Sequence, residues 1–333
     1  MRAFVLERYG RQQLLKLSDV PAPELRDDEV LVEVHAAGVN PLDARIRDGA
    51  FKLILPYRLP IVLGHDVAGV VLARGPDAQG FEPGDEVYAR VDDFRIGTFA
   101  EQVAVKASSL AHKPRNLSMV QAASVPLVGL TAWQVLVVRA GVKPGQKVFI
   151  QAGSGGVGTL AIQLARHLGA TVATTAGAAG MVLVKDLGAD VVIDYRSQDF
   201  AAVLRDCDVV LNSQDAATLA KSVRVTRAGG QLISISGPPD PAFARDIGAS
   251  GLVRLVIGLL SLGIRRKAKA RGVHYSFLFM KADGAQLQAI TCLIEEGAIR
   301  PVVDRVFPFE STPEALAYAD IGRAKGKVVI RMK

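Results

Sequence analysis

The fold is decided by the stretch Lys147-Val-Phe-Ile-Gln-Ala-Gly-Ser-Gly-Gly-Val-Gly158, which is followed by the segment TLAIQLARHLG. An apolar strand, a glycine-rich turn and an amphipathic helix succeed one another here, and the turn fits the pattern G-x-G-x-x-G. Glycines in this pattern allow a tight turn, a close approach to a pyrophosphate and close packing of helix on strand. The helix N-terminus adds free N–H groups for phosphate. We predict a dinucleotide-binding loop formed by Gly153, Ser154, Gly155, Gly156, Val157 and Gly158, the alternative being a glycine-rich turn without a ligand.

The order of elements on either side of this stretch extends the prediction. After residue 144, apolar strands alternate with amphipathic helices, which indicates a parallel sheet covered on both faces. Residues 1–113 form short runs rich in β-branched residues, separated by Pro, Gly and Asp, which favours a barrel-like β domain. The sequence therefore predicts an α/β protein with a β-barrel and a doubly wound parallel sheet.

Composition and charge exclude several classes of protein. The 333 residues are 50% apolar and 22% charged, which is typical of a globular protein. The net charge of +7 suits anionic small ligands or a surface polyanion without indicating nucleic acid, and a basic solvated surface is the favoured interpretation. Cys207 and Cys292 lie in runs that predict buried, reduced thiols. No signal peptide is recognised, and the apolar run 251–264 is interrupted by Arg254 and too short for a membrane span. We expect a cytoplasmic protein.

A helical insert is predicted at residues 249–270. It ends in a basic run formed by Arg265, Arg266, Lys267, Lys269 and Arg271. A lid or a membrane-surface helix is one interpretation. A packed helix with a solvated basic end is favoured, because charge runs usually form solvated surface.

The end of the second strand of the parallel sheet decides the cofactor. Proteins that bind NAD place Asp or Glu about 20 residues after the glycine motif, where it accepts from the ribose hydroxyls. Residues 171–180 contain no acid, so a 2′-phosphate would meet no repulsion. We therefore predict NADPH rather than NADH, with Thr174, Thr175, Lys185, Tyr195 or Arg196 as partners of the phosphate.

Six further motifs run along the whole chain: AGVNPLD (37–43), GHDVAGV (64–70), PGDEV (83–87), AASVPLVGLTA (122–132), LGADVVIDY (187–195) and GKVVI (326–330). With the glycine loop, they resemble the zinc-independent quinone oxidoreductases of the medium-chain dehydrogenase/reductase superfamily, a group that includes zeta-crystallin. The resemblance implies a GroES-like catalytic domain at 1–122, completed by 280–333, and a Rossmann NADPH-binding domain at 123–279, with the cofactor in the cleft. It also implies a homodimer joined partly through residues 274–280.

The zinc-dependent alcohol dehydrogenases of the superfamily bind catalytic zinc through Cys, His and a second Cys or an acid, as an open catalytic site requires. Here Asn40 stands at the first position, His65 matches the His, and residues 122–131 offer no Cys. We predict no metal, with His65 as a hydrogen-bonded structural residue beside Asp66. The resemblance then implies direct hydride transfer from NADPH to a quinone or an α,β-unsaturated ketone or aldehyde.

The resemblance also implies roles for individual residues. Asn40 and Thr131 would lie at the nicotinamide end, and Lys327 would reach the cofactor from the C-terminal segment. For Asn212, Ser236 and Phe279 an ordinary structural role is an equal alternative. The strand-end residues expected beside the cofactor are Asn212, Ser236, Gly237, Phe277 and Phe279.

Two positions depart from the family pattern. Some relatives carry a Lys for the 2′-phosphate where this chain has Gly180, and some carry a Tyr beside the substrate where it has Arg45. Tyr57 is the nearby candidate proton donor, the alternative being a half-buried loop residue, and Arg45 would stabilise an enolate or an acidic substrate. The candidate catalytic residues are thus Asn40, Arg45 and Tyr57. A zinc-assisted alcohol dehydrogenase and a non-enzymatic NADPH-binding sensor stay open as alternatives.

Overall fold

The structure is a computed structural model that describes residues 1–11, 13–52 and 55–333. These residues form two compact units, one made of residues 1–130 and 281–333 and the other of residues 131–280. The domain limits after residues 122 and 279 stay a prediction. In the described part of the chain, no helix combines the length and hydropathy that crossing a bilayer requires.

The strands are β1 (Arg2–Leu6), β2 (Lys16–Asp19), β3 (Glu29–Val39), β4 (Ile61–Val62), β5 (Asp66–Arg74), β6 (Glu86–Arg90), β7 (Gln102–Lys106), β8 (Leu110–His112), β9 (Lys147–Ile150), β10 (Thr171–Ala176), β11 (Val191–Asp194), β12 (Cys207–Asn212), β13 (Thr226–Ser234), β14 (His274–Phe277), β15 (Val303–Pro308) and β16 (Lys327–Arg331). The helices are α1 (Pro41–Arg47), α2 (Met119–Ala123), α3 (Pro126–Trp133), α4 (Gly156–His167), α5 (Met181–Asp186), α6 (Phe200–Val203), α7 (Ala216–Val225), α8 (Pro241–Asp246), α9 (Gly251–Leu260), α10 (Leu262–Ala270), α11 (Gly284–Glu295) and α12 (Thr312–Asp320).

The first unit is a β domain whose sheet has the order β15-β16-β3-β5-β6-β8, with β7 also paired to β3 and a smaller sheet β2-β1-β4 beside it. The C-terminal strand β16 lies antiparallel to β3, with Val328 opposite Val39. This register brings Lys327, at the start of β16, to Asn40, which directly follows β3. The C-terminal strand thus meets the end of β3 at one point of the sheet.

The second unit is built on a parallel sheet of the order β11-β10-β9-β12-β13-β14. Counted from β9, this is the order 3-2-1-4-5-6 of a Rossmann fold, in which ligands bind at the carboxyl ends of the strands where the order reverses. The reversal lies between β9 and β12. The predicted fold class, a GroES-like β-barrel domain with a doubly wound Rossmann domain, is confirmed.

Three local predictions are wrong. The three- and four-residue spacing of apolar side chains in residues 119–140 predicts one long helix. Instead α2 and α3 are separate, because Pro126 lacks the N–H that a continuous helix needs, and a π-helical segment follows at 134–139. The family resemblance implies a last strand of the second unit from His274 to Met280, but this strand ends at Phe277. Cys292 is exposed rather than buried, because it lies on the outer face of the amphipathic helix α11.

Candidate active site

The glycine loop joins β9 to α4 at the reversal of strand order, and two of its glycines are required by packing. A Cβ atom on Gly153 would lie 2.1 Å from Thr174 Oγ1, and one on Gly158 would lie 2.4 Å from the carbonyl oxygen of Ala152. The left-handed residue of the turn is Ala152, with φ 51°. The tight turn expected of Gly153 is therefore made one residue earlier, and Gly153 instead allows the loop to press against β10.

Gly155 differs from these two glycines because the space beside it is open. It caps α4 in an extended conformation that any residue adopts, with φ −81° and ψ 173°. A Cβ atom there would meet only the Ala152 carbonyl oxygen, at 3.3 Å. The first N–H groups of α4 have no partner within the helix, and Gly155 directly precedes them in the chain. A phosphate group fits such a cradle, so the residues present fit a dinucleotide.

The hydroxyls at the end of β10 support the loop from below. Thr174 is fully buried, and its hydroxyl donates to the carbonyl oxygen of Ile150 at 2.6 Å. Thr175 Oγ1 accepts from the backbone N–H of Ala152 at 3.1 Å. The Thr174 proton is thus committed within the sheet rather than offered to a 2′-phosphate. Both threonines hold the turn in place.

Cationic and phenolic groups suited to a 2′-phosphate lie beyond the ends of β10 and β11. Tyr195 is 59% exposed, its ring lies close to Gly177, and the Arg196 guanidinium lies 5.9 Å from the ring centroid. Lys185 is exposed on α5. Gly180 packs against the glycine loop, since a Cβ atom there would lie 2.8 Å from Ser154 Cβ. A Lys at this position, as in some relatives, would displace Ser154.

A network of neutral side chains closes the strand ends beneath the loop. Asn212 donates to Gln151 Oε1 at 2.6 Å and accepts from Ser234 Oγ at 2.6 Å, while Gln151 donates to Ser222 Oγ at 2.7 Å. All four residues are at most 2% exposed. The structural role of Asn212 is therefore visible. Gln151 and Ser234 were missed, although a polar residue at the end of each apolar strand was the available signal. Ser222 was also missed, and as a residue of helix α7 it gave no such signal.

The other residues expected beside the cofactor also lie in the second unit. Ser236 donates its hydroxyl to the carbonyl oxygen of Gln214 at 2.7 Å, and the N–H of Gly237 donates to Ser234 Oγ at 2.8 Å. Phe277 donates its N–H to Asp240 Oδ2 at 3.0 Å. Phe243 packs against Phe277 and Phe279, with ring centroids 5.1 and 5.9 Å apart, and Thr131 is buried where the unit begins.

The first unit holds a buried charged cluster around Lys327. The Lys327 ammonium donates to Asn40 Oδ1 at 2.5 Å, to Asp66 Oδ2 at 3.0 Å and to the Val39 carbonyl oxygen at 3.1 Å. Asn40 also donates to Asp66 Oδ2 at 3.0 Å, and Asp66 Oδ1 accepts the N–H of Leu127 at 2.8 Å. Lys327 thus meets three oxygen acceptors inside its own unit. Its expected contact with the cofactor stays a prediction.

An Asp–His pair extends this cluster. Asp43 Oδ1 lies 2.6 Å from His65 Nδ1, and Asp43 Oδ2 accepts the backbone N–H of Asn40 at 2.8 Å. Both side chains are fully buried, and His65 is hydrogen-bonded beside Asp66 as predicted. Its Nε2 atom is buried without a hydrogen-bond partner among the described residues.

The remaining catalytic candidates, Arg45 and Tyr57, lie outside this cluster. Arg45 is exposed on α1. Tyr57 is half-buried, and its hydroxyl donates to the carbonyl oxygen of Asp93 at 2.6 Å. Burial, reinforced by the Asp93 carboxylate, raises the pKa of this phenol above its usual range, which makes it a weaker acid. These contacts match the half-buried loop residue that was the alternative for Tyr57.

Comparison with known proteins supplies the family. A model of the alcohol dehydrogenase GroES-like domain matches residues 26–115, and a zinc-binding dehydrogenase model matches residues 187–330. The mitochondrial NAD(P)H oxidoreductase RTN4IP1 of Homo sapiens is 35% identical over 360 residues, covering 100% of this chain and 89% of that protein. The chloroplastic NADPH-dependent alkenal/one oxidoreductase of Arabidopsis thaliana is 36% identical over 341 residues, covering 99% and 79%.

A solved structure agrees along the whole length of the chain. The quinone oxidoreductase from Coxiella burnetii superposes with a TM-score of 0.87 at 30% identity, covering 100% of this chain and 99% of that one. The chain belongs to the quinone oxidoreductase group of the medium-chain dehydrogenases/reductases. The predicted family and the predicted oxidoreductase class are confirmed.

One matching family model describes a zinc-binding dehydrogenase, but the side chains of this medium-chain dehydrogenase/reductase do not form a zinc site. Asn40 Oδ1 already accepts from Lys327, and His65 Nδ1 is bonded to Asp43. Among the residues that the structure describes, no three His, Cys, Asp or Glu side chains are grouped to hold a metal ion. A catalytic zinc needs three protein ligands, so this donor set does not fit it.

Proposed function

We propose that the protein is a zinc-independent reductase that transfers hydride from NADPH to a quinone or to an α,β-unsaturated ketone or aldehyde. The observation that carries the proposal is the cradle at Gly155, open at the N-terminus of α4 in a Rossmann sheet. The comparisons bear out NADPH and the acceptor class, because similar proteins are named an NADPH-dependent alkenal/one oxidoreductase and a quinone oxidoreductase.

NADPH, when bound, supplies the hydride, and the chain supplies its binding and orientation. We assign the pyrophosphate to the N–H groups of Gly156, Val157 and Gly158, with Ser154 and the open space at Gly155 beside them. The N–H of Gly155 itself donates to the carbonyl oxygen of Ala152 at 3.0 Å. The 2′-phosphate is assigned to the exposed side chains Lys185 and Tyr195, since an acid is absent from the end of β10. Thr174 and Thr175 contribute indirectly by holding the loop. We retain Thr131, Asn212, Ser236, Gly237, Phe277 and Phe279 as the lining of the cofactor site.

Reduction of these acceptors moves negative charge to a carbonyl oxygen, which hydrogen-bond donors or cations stabilise. Arg45 is the exposed cation on α1 that we assign to this role. Asn40 stands at a position that holds a metal ligand in the zinc-dependent relatives. In this chain the Lys327 ammonium donates to Asn40 Oδ1 and lies beside that position. The Tyr57 hydroxyl already donates its proton to a hydrogen bond with the carbonyl oxygen of Asp93. We therefore propose that water protonates the product.

Homodimerisation and a cytoplasmic location belong to the same proposal. Strand β14 lies at the end of the second sheet, so its outer edge offers backbone groups that a second copy satisfies by strand pairing. Light scattering of the purified protein tests the dimer. A monomeric wild-type protein would contradict the proposal.

The activity is tested by following NADPH oxidation with one ortho-quinone and one enone, both in the presence of a chelator. Turnover with either acceptor supports a zinc-independent reductase, and the ratio of the two kcat/KM values shows which acceptor is preferred. Turnover that is present without the chelator and absent with it would favour a zinc-assisted alcohol dehydrogenase. NADPH binding without turnover of either acceptor would favour the sensor.

The cofactor site is tested by Gly155→Val. The side chain would fill the cradle while leaving the extended backbone unstrained, so we expect NADPH binding to be lost with the fold retained. Gly263→Val is the matched control, because a Cβ atom there meets nothing within 4 Å. Unchanged NADPH affinity in Gly155→Val would contradict the proposed site. Equal dissociation constants for NADPH and NADH would contradict the choice of cofactor.

A further inference from the structure

Helix α9 turns an apolar stripe away from the protein. Leu252, Leu255, Val256, Leu259 and Leu260 follow the spacing i, i+3, i+4, i+7, i+8, which places them on one face of the helix. These side chains are 47–73% exposed. The helix is anchored by Ile257, which is buried on another face. The packed helix favoured from the sequence is therefore wrong for α9, because its wide apolar face is the face that stays uncovered.

Positive charge is concentrated directly beside this stripe. The 25 residues from Ile247 to Arg271 contain six basic residues and no Asp or Glu, a net charge of +6 in a chain whose total is +7. All six basic side chains are exposed, and five of them lie along or just after α10. The basic residues are Arg254, Arg265, Arg266, Lys267, Lys269 and Arg271.

The combination of features selects the partner. A contiguous exposed apolar patch marks an interaction surface rather than ordinary solvated surface. A second copy packed through this face would bring two clusters of +6 together, and their mutual repulsion disfavours that contact. An anionic lipid surface satisfies both features at once, because an amphipathic helix lies in the interfacial plane and Lys and Arg bind lipid phosphates.

We propose that residues 251–271 dock on the surface of an anionic lipid bilayer. The apolar face of α9 enters the headgroup region, and the basic side chains of α10 contact the phosphates. This inference is independent of the hydride-transfer reaction, because none of these residues is assigned to the cofactor or to the acceptor.

The test is co-sedimentation of the full chain with two kinds of vesicle, phosphatidylcholine alone and phosphatidylcholine with about a third phosphatidylglycerol. We expect binding to the anionic vesicles only. Binding should weaken as salt rises from about 0.1 M to about 1 M, because the Debye length falls from ~10 Å to ~3 Å.

Two variants separate the charged from the apolar contribution. The triple variant Arg265→Ser/Arg266→Ser/Lys267→Ser should weaken binding about 100-fold, since each basic residue near an anionic surface contributes about fivefold. Leu255→Ser/Leu259→Ser should weaken it by at least about tenfold. A matched control, Arg11→Ser/Leu14→Ser/Arg323→Ser, removes exposed basic and apolar side chains elsewhere and should change binding by no more than about threefold. NADPH oxidation by each variant verifies its fold.

Three outcomes would overturn the proposal. They are no sedimentation with anionic vesicles, equal sedimentation with both kinds of vesicle, and unchanged binding by the two variants in the insert. The protein could instead fail to bind vesicles while Leu255→Ser/Leu259→Ser lowers its oligomeric state. In that case the stripe is an interface between copies of the chain.

Discussion

The two units bury polar groups in opposite ways. In the first unit the Lys327 ammonium, the Asp66 carboxylate and the Asp43–His65 pair form a charged cluster around Asn40. In the second unit Gln151 and Asn212 join serine hydroxyls in a neutral network. A buried charge that loses its partner costs far more than a buried neutral group that loses one, so the first unit depends on a single side chain much more than the second does.

The difference also bears on function. A neutral network braces the strand ends beneath the glycine loop without imposing a charge near an anionic cofactor. The charged cluster instead holds the Lys327 side chain between Asn40 and Asp66. Lysine supplies that charge as a point cation on a flexible stem, which Asp66 and Asn40 hold in place.

Lys327→Met is expected to have the largest effect. It leaves the Asp66 carboxylate buried without its cation, which should lower the free energy of unfolding by about 3–5 kcal/mol. Guanidinium unfolding measures the change, and Arg323→Met, an exposed residue nearby, is the control. A loss below about 1 kcal/mol would show that the cluster tolerates an unpaired carboxylate.

Adding Asp66→Asn to Lys327→Met sharpens the comparison. The double variant removes both charges and keeps an oxygen that accepts the N–H of Leu127. We expect the free energy of unfolding of the double variant to be about 1–3 kcal/mol higher than that of Lys327→Met alone, because the two residues are directly coupled. Simple additivity of the two single substitutions would disprove the coupling.

Gln151→Leu tests the neutral network. It leaves the Asn212 amide and the Ser222 hydroxyl without their buried partner, at a cost of about 1–3 kcal/mol in the free energy of unfolding. Gln214→Leu, an exposed residue of the same unit, should change stability by less than about 0.5 kcal/mol. A cost for Gln151→Leu as large as that for Lys327→Met would erase the distinction between the two clusters.

The smallest expected effect is a difference between the two cysteines in their reactivity toward a thiol reagent, with the fold retained. Burial raises the pKa of the Cys207 thiol to about 11, so at neutral pH it stays protonated and unreactive. Cys292 is exposed on α11 in the first unit. A thiol reagent should therefore modify Cys292 alone in the native protein and both residues after unfolding. Rapid modification of Cys207 in the native state would show that the second unit opens readily.

Local pattern was sufficient for the architecture and for the position of the glycine loop. The strand, glycine turn and helix at 147–169 follow from neighbouring residues, because strand and helix periodicities and the stereochemistry of glycine are local properties. The same holds for the acid missing after β10, which depends on one position in the motif. The contacts of Thr174 and Tyr57 were not predictable in this way, since their partners are carbonyl groups of residues 24 and 36 positions away.

By itself, the sequence determined the alternation of strands and helices, the glycine loop and the family motifs. The tertiary structure decided which buried polar groups meet. Lys327 lies 287 positions from Asn40, and only the pairing of β16 with β3 brings them together. It also decided that the stripe of α9 faces outward while α4 buries its own, although both helices show amphipathic spacing. Periodicity states that a helix has an apolar face, but which neighbour covers that face is a property of the folded chain.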